Sequence, residues 1–162
     1  MLTTYYRTPV GIAKITEDDG YISGINILDD EDIVIEEPQS ALLQLAIKQL
    51  DEYFAGKRKV FDLPLNQSGT DFQKQVWQQL MQIDYGKTIS YAQLSNQMKN
   101  PLAIRAIASA NGKNSLWIVV PCHRVIGSDG SLTGYAGGIW RKQWLLEHEA
   151  TTQGVGQIKM PF

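Results

Sequence analysis

The first third of the chain alternates short β-type segments with turn sequences and then changes to a helical pattern. Thr-Pro-Val-Gly at 8–11 and Asp-Asp-Gly at 18–20 are typical of turns, and residues 21–27 between turn and loop sequences favour a strand. These patterns predict β-hairpins. Residues 38–54 place apolar side chains near helical spacing, which predicts a helix that ends at Gly56.

Capping-box sequences predict two helix starts in the second part of the chain. Residues 66–69, Asn-Gln-Ser-Gly, form the best linker candidate. Thr70 and Ser90 each precede a short apolar pattern and each have a glutamine three residues later. This spacing predicts one helix from Thr70 to about Ile83 and a shorter one from Ser90 to about Met98.

A third helix is predicted over residues 102–111, because Asn100 and Pro101 supply an N-cap and a first-turn proline. Two short helices joined by a tight turn are what a helix-turn-helix requires. The third helix is rich in alanine and serine around one cation, Arg105. Small side chains let a helix lie close to a nucleic-acid backbone or in a narrow groove. They equally permit close packing inside a protein, and composition leaves both interpretations open.

An uninterrupted apolar run over residues 116–120 predicts a buried strand. Pro121 has no N–H and therefore ends regular pairing of that strand. Cys122 and His123 follow directly, at the point where the strand is expected to open. A turn sequence and a final helix over residues 139–149 complete the pattern.

Length and charge suggest two small domains with different partners. The chain has 162 residues, of which 43% are hydrophobic, and the linker predicts domains over residues 1–66 and 67–162. The first contains 6 Lys/Arg and 12 Asp/Glu, whereas the second contains 9 and 5, although the whole chain has a net charge of −2. An anionic ligand is therefore expected at the C-terminal domain.

The chain contains a single cysteine, which excludes an internal disulfide and a multi-cysteine zinc site. We therefore expect no metal and a reducing, cytoplasmic setting, since no membrane span or secretory pattern is apparent. Thiols react as thiolates, and a nearby imidazole is the usual means of generating one. Cys122 and His123 fit that chemistry, while an isolated cysteine is also often a buried, unreactive residue.

The chain resembles the methylated-DNA–protein-cysteine methyltransferases, which are O6-alkylguanine-DNA alkyltransferases, over nearly its whole length. The motifs that carry the resemblance are Pro-Cys-His-Arg-Val at 121–125, Arg-Ala-Ile at 105–107, Gly-Tyr-Ala-Gly-Gly at 134–138 and Trp-Leu-Leu-Glu-His-Glu at 144–149. The resemblance implies an α/β N-terminal ribonuclease-H-like domain and a mainly α C-terminal domain with a helix-turn-helix. It also implies DNA repair by irreversible, single-turnover transfer of the alkyl group from O6-alkylguanine, and also from O4-methylthymine, to Cys122.

The resemblance further implies roles for residues around the cysteine. His123 removes the thiol proton through a water, Glu149 orients that histidine, and Asn114 helps to hold the network and the turn. Tyr91 assists rotation of the nucleotide and contacts the base, and Arg105 fills the gap that the flipped nucleotide leaves in the stack. The implied substrate- and DNA-contacting residues are Tyr91, Arg105, Ala106, Arg124, Val125, Tyr135, Ala136 and Gly137.

Double-stranded DNA, bound through the minor groove by a monomer without cofactor, is the partner that the resemblance implies. Two other classes of protein are compatible with parts of this pattern. A non-enzymatic protein that binds alkyl lesions would resemble this chain but commonly has another residue at the position of Cys122. A cysteine hydrolase could use Cys122, His123 and Glu149 as a triad, and it would turn over repeatedly.

Overall fold

The structure is a computed structural model, and it describes residues 1–29, 32–132, 135 and 138–152. The chain divides into two compact units. The first unit comprises Met1–Ser68 together with Ser115–Trp117, and the second comprises Gly69–Asn114 together with the chain from Ile118 onward. Within the described ranges, every helix is too short or too polar to cross a membrane.

The N-terminal unit is built on an antiparallel sheet of three strands in the order β1-β2-β3. The strands are β1 (Leu2–Thr8), β2 (Gly11–Asp18) and β3 (Tyr21–Leu28). The two turn sequences connect them, because Thr8 pairs with Gly11 and Asp18 pairs with Tyr21. The predicted hairpins are therefore confirmed.

One helix, α1 (Ala41–Phe54), accompanies the sheet. The Ser40 hydroxyl accepts a hydrogen bond from the Leu43 N–H at 3.0 Å, so the helix begins at its N-cap rather than at residue 38. Gly56 follows the helix at φ +76°, a left-handed conformation that glycine adopts without steric cost. The buried face of α1 closes the core with Leu43, Ala46, Leu50 and Tyr53.

The first two helices of the C-terminal unit are α2 (Asp71–Leu80) and α3 (Tyr91–Gln97). Both predicted capping boxes form. The hydroxyls of Thr70 and Ser90 accept hydrogen bonds from the main-chain N–H groups of Gln73 and Gln93, and the side chains of these glutamines accept from the N–H groups of Thr70 and Ser90. Two of the four orphan donors at each helix start are thereby satisfied. The sequence signal for both helix starts is confirmed.

The third helix, α4 (Ile104–Gly112), begins later than predicted. Asn100 does not cap it; its carbonyl accepts a hydrogen bond from the Ala103 N–H at 3.0 Å and forms part of a turn. Lys99, at φ +57°, reverses the chain before that turn. The elements α3, turn and α4 pack together as the helix-turn-helix that the spacing predicted.

The prediction of a strand over residues 116–120 is wrong, but the prediction that these residues are buried is confirmed. Leu116 makes an isolated bridge with Ile25 of β3. On either side of it, the Ile25 N–H donates to the Ser115 carbonyl at 2.8 Å and the Trp117 N–H donates to the Ile25 carbonyl at 3.1 Å. Ile118 then adopts φ +69°, which no regular strand allows. All five side chains of the run are buried. Trp117, 5% exposed, therefore lies within buried chain beside the bridge.

The remaining elements form the framework of the candidate site. Residues Cys122–Arg124 form one 3-10 turn, followed by β5 (Val125–Ile126), which pairs in parallel with β4 (Ile89–Ser90). The turn sequence at 127–130 forms as predicted, with the Gly130 N–H donating to the Gly127 carbonyl at 2.9 Å. The last helix is α5 (Ile139–Thr152).

Candidate active site

A two-stranded parallel sheet brings two distant segments of the C-terminal unit together. Ile89 pairs with Val125, and Ser90 pairs with Ile126. Ser90 is also the N-cap of α3, so Tyr91 is fixed as the first residue of that helix. The segment leading to Tyr91 therefore runs beside the turn that carries Cys122.

Cys122 is buried, with 6% of its surface exposed. Burial raises the pKa of its thiol, and this effect outweighs the side-chain hydrogen bond from Asn114, the charge of Lys142 and the hydroxyl of Tyr135, which all lower it. The thiol is therefore protonated at neutral pH. It needs a base to become a nucleophile, and three neighbours stabilise the thiolate once it forms.

That base is available at the next residue. His123 Nε2 lies 2.6 Å from Glu149 Oε2, and both side chains are fully buried. Burial, together with the charges of Arg124 and Lys142, lowers the pKa of His123 against the opposing effect of the Glu149 carboxylate, so the imidazole is neutral. Nε2–H then donates to Glu149, which leaves Nδ1 as the acceptor. Nδ1 is buried and has no hydrogen-bond partner among the residues that the structure describes.

Glu149 is held as a carboxylate by several donors. Arg124 donates from Nε to Oε1 at 2.8 Å and from Nη2 to Oε2 at 3.1 Å, and the Gly86 N–H donates to Oε1 at 3.2 Å. Burial raises the pKa of Glu149, but His123 and Arg124 together lower it by more than burial raises it. The pKa therefore lies well below its usual range. The carboxylate therefore stays charged and fixes the tautomer of the histidine.

Two predicted DNA-contacting side chains lie in the interior instead. The Arg124 guanidinium pairs with Glu149 and donates from Nη1 to the Ile83 carbonyl at 2.7 Å, and its carbon lies 5.6 Å from the centroid of the Tyr85 ring. All three nitrogens of this guanidinium therefore donate to protein groups. Val125 is fully buried in β5, so only its main chain can face a ligand. The contacts predicted for Arg124 and Val125 stay predictions, and both side chains are buried in this structure.

Two asparagines support the segment around the cysteine, and sequence reasoning found only one of them. Asn114 Nδ2 donates to the Val120 carbonyl at 2.7 Å, just before Cys122. Asn111, which was missed, is 2% exposed, and its Nδ2 lies 3.3 Å from both the Tyr91 hydroxyl and the Cys122 carbonyl. A signal existed, since a polar residue four positions after buried Ile107 lies on the packed face of α4.

Lys142 is the second residue that sequence reasoning missed. It is fully buried, and its Nζ lies 5.9 Å from the centroid of the Tyr91 ring. Burial lowers its pKa to about 8, although the nearby Cys122 raises it. The available signal was helical spacing, because Lys142 lies seven residues before Glu149 and therefore on the same face of α5.

The other predicted site residues divide between buried and exposed positions. Tyr135 is buried and contributes to the surroundings of the Cys122 sulfur. Arg105 and Ala106 are exposed on α4. Ala136 and Gly137 lie outside the described residues. Within the described part of the chain, no group of three or more His, Cys, Asp or Glu side chains could hold a metal ion.

The two units coincide closely with two known domain families. Residues 1–67 match the family model of the 6-O-methylguanine DNA methyltransferase ribonuclease-like domain. Residues 71–151 match that of the 6-O-methylguanine DNA methyltransferase DNA binding domain. The combination defines a class of protein in which a ribonuclease-like domain precedes a DNA-binding domain, and DNA is the partner.

Relatives match across most of the chain. The methylated-DNA–protein-cysteine methyltransferase of Methanosarcina acetivorans is 39% identical over 93% of this chain and 99% of that protein. The Mycobacterium tuberculosis protein of that name is 51% identical over 69% of this chain and 68% of that protein. A crystal structure of a Mycobacterium tuberculosis O6-methylguanine methyltransferase superposes with a TM-score of 0.83, at 39% identity and 93% coverage of both chains.

The chain belongs to the 6-O-methylguanine DNA methyltransferase family, as its motifs predicted. It is accordingly a transferase of direct-reversal DNA repair. The predicted fold, with a ribonuclease-like α/β domain and a helical domain that contains a helix-turn-helix, is confirmed.

Proposed function

We propose that Cys122 is the residue that accepts the alkyl group, from O6-alkylguanine in double-stranded DNA, in a single irreversible event. The observation that carries the proposal is the buried Cys122–His123–Glu149 array. Glu149 holds the Nε2 side of the imidazole at 2.6 Å, and the buried Nδ1 atom is left as a proton acceptor on the residue next to the thiol.

The reaction follows from these protonation states. The thiol proton passes through a bridging water to His123 Nδ1, and the Cys122 thiolate attacks the alkyl carbon in line with the carbon–oxygen bond. A carbon–sulfur bond forms, the bond from carbon to guanine O6 breaks, and its electron pair stays with the base. The proton held by His123 is then released to the guanine anion, which restores neutral guanine and neutral imidazole. The thioether product has no ready leaving group, so the protein is spent after one event.

The neighbours of the sulfur support the ionised state. Lys142 is buried in the same cluster, and its positive charge lowers the pKa of Cys122. Asn114 and Tyr135 lower it by hydrogen bonding. In a buried site these interactions are only weakly screened by water, and each favours the thiolate over the thiol.

DNA binding is assigned to the C-terminal domain, residues 67–162. Arg105 and Ala106 are exposed on α4, whose small side chains suit the minor groove, and Arg105 fills the gap left by the flipped nucleotide. Ala136 and Gly137 are proposed to contact the substrate. We further propose that the protein acts as a monomer in the cytoplasm, where a lone nucleophilic thiol stays reduced, and that it also accepts O4-methylthymine.

The test is mass spectrometry of the protein after incubation with a duplex that contains one O6-methylguanine. We expect stoichiometric addition of one methyl group, mapped to the peptide that contains Cys122, and none in Cys122→Ser. Methyl transfer that persists in Cys122→Ser would place the acceptor elsewhere. An unmodified protein that still binds the lesion would be a binding protein, and repeated turnover of an ester would indicate a hydrolase.

A further inference from the structure

The buried amide of Asn111 links the two groups that the proposed function sets around the substrate base. Its Nδ2 atom lies 3.3 Å from the Tyr91 hydroxyl and 3.3 Å from the main-chain carbonyl of Cys122. The residue is 2% exposed, and it projects from α4 between α3 and the 3-10 turn. No role follows for it from the thiol chemistry, because it does not bond to the sulfur, the histidine or the glutamate.

The carbonyl of Cys122 determines which way this amide faces. A carbonyl oxygen can only accept, so the NH₂ group of Asn111 must be directed toward it. The same NH₂ group then donates its second hydrogen to the Tyr91 oxygen. Since Asn111 is the hydrogen-bond partner of that hydroxyl among the described residues, the proton of Tyr91 is not used in this contact.

Stability does not explain the arrangement. The Oδ1 atom of Asn111 is buried and has no hydrogen-bond partner among the residues that the structure describes. An unpaired buried acceptor costs about 1–3 kcal/mol of folding free energy, which an apolar side chain of similar size would avoid. The unpaired Oδ1 therefore offsets part of what the two Nδ2 hydrogen bonds contribute to folding, and the placement of the amide calls for a second explanation.

We propose that Asn111 is a positioning residue, whose amide holds the Tyr91 oxygen as an acceptor so that the hydroxyl proton is directed to an acceptor atom of the bound base. The inference rests on the proposed function. Two observations agree with it: burial raises the pKa of Tyr91, which keeps the hydroxyl protonated at neutral pH, and the amide of Asn111 opposes that shift, as a donor to oxygen does.

A double-mutant cycle tests the inference. Single-turnover rates are measured for the wild type, Asn111→Leu, Tyr91→Phe and the double variant, with a methylated duplex and with free O6-benzylguanine. We expect each single change to slow transfer by about tenfold, the value of one neutral hydrogen bond, on both substrates. The double variant should be within about twofold of Tyr91→Phe, because the amide acts through the hydroxyl.

Thermal denaturation of the same variants separates positioning from folding. The Cys122 carbonyl keeps the Val125 N–H as a donor, so Asn111→Leu should melt close to the wild-type temperature while it reacts more slowly. Asn111→Asp tests the direction of the hydrogen bond, because a carboxylate accepts the Tyr91 proton; we expect it to be slower than Asn111→Leu. Rates in the double variant that equal the product of the single effects, a melting loss in Asn111→Leu that accounts for its rate, or a fully active Asn111→Asp would each overturn the inference.

The wild-type rate distinguishes this inference from the proposed function. If the wild-type protein does not methylate Cys122, the proposed function fails. If it does, and the cycle shows no coupling between Asn111 and Tyr91, only the positioning role fails.

Discussion

Two buried amides, one in each unit, are used in opposite ways. In the N-terminal unit, Gln49 donates to the Asp62 carbonyl and accepts from the Asp62 N–H, both at 2.9 Å. Both ends of that amide are satisfied by a single main-chain partner. Asn111, in the C-terminal unit, is equally buried but makes two long bonds with one end and none with the other among the described residues.

The same difference extends to the buried polar residues of each unit. Among the described residues, the N-terminal unit buries Thr4 and Gln49, neither of which is charged. The C-terminal unit buries Ser95, Asn111, His123, Arg124, Arg141, Lys142 and Glu149. Burying charge costs folding free energy unless every group is paired. A satisfied buried group is therefore explained by structure, whereas an unsatisfied or charged one points to the site.

The largest effect is expected for a substitution among the buried charges of the C-terminal unit. Glu149→Gln removes the charge that faces Arg124 and His123, and it leaves a buried guanidinium without its counterion. We expect a loss of about 3 kcal/mol in the free energy of unfolding, measured by urea denaturation. We also expect transfer per folded molecule to fall by at least about tenfold, because the imidazole loses its fixed tautomer.

Gln49→Leu is the matched control in the N-terminal unit. It leaves the N–H and carbonyl of Asp62 unpaired, so we expect a loss of about 1–3 kcal/mol in stability. The rate of transfer per folded molecule should stay at the wild-type value. A slower transfer rate in Gln49→Leu, or a wild-type transfer rate in Glu149→Gln, would contradict this division between structural and functional buried groups.

Arg105, on the exposed face of α4, extends the comparison to a residue outside the buried site. Arg105→Ala should slow repair of a methylated duplex by about tenfold to hundredfold, since holding an unstacked nucleotide costs a few kcal/mol. Transfer from free O6-benzylguanine should be unchanged, because a free base needs no unstacking. Lys113→Ala removes an exposed cation just beyond the same helix, and we expect only a small loss on the duplex.

Equal losses on duplex and free base in Arg105→Ala would argue against a role in unstacking. They would indicate instead that the arginine supports the fold or the pocket, and a melting curve would distinguish those two causes.

The smallest expected effect is a pH dependence of stability. The pKa of His123 is lowered by burial, so the unfolded chain binds more protons than the folded one below a pH of about 6.5. The free energy of unfolding should therefore decrease by about 1.4 kcal/mol when the pH is lowered from about 7.5 to about 5.5. Glu149 stays charged across this window. The dependence should disappear in His123→Asn and persist in His148→Asn; the reverse pattern would contradict it.

Sequence alone predicted the parts of the fold that depend on local chemistry. The capping boxes at Thr70 and Ser90 determine where two helices begin, and Gly56 determines where another ends. The motif around Cys122 predicted the family, and His123 and Glu149 are indeed hydrogen-bonded. The caps and the glycine stop lie within a few residues of the helix ends that they determine, so tertiary packing does not override them. The pairing of His123 with Glu149, 26 residues apart, came only from the family resemblance.

What sequence could not predict depends on contacts between distant segments. An apolar run indicates burial, but it does not show that Ile118 adopts a left-handed conformation. Arg124 lies within the motif around Cys122, and the resemblance implied a DNA contact for it, but its pairing with Glu149 depends on how the last helix packs. Helical spacing places Asn111 and Lys142 on the same helix faces as Ile107 and Glu149, but that those faces are buried follows from the packing of α4 and α5.

The bridge between Ser115–Trp117 and β3 has a consequence for dividing the protein. The chain leaves the N-terminal unit after Ser68, returns for three residues and leaves again, so the two units are not separable at one cut. A fragment that starts at Gly69 would retain the Ser115 carbonyl and the Trp117 N–H without Ile25, to which both are hydrogen-bonded. Those groups lie only a few residues before Cys122. Excising the DNA-binding half would therefore release the chain that leads directly into the nucleophile.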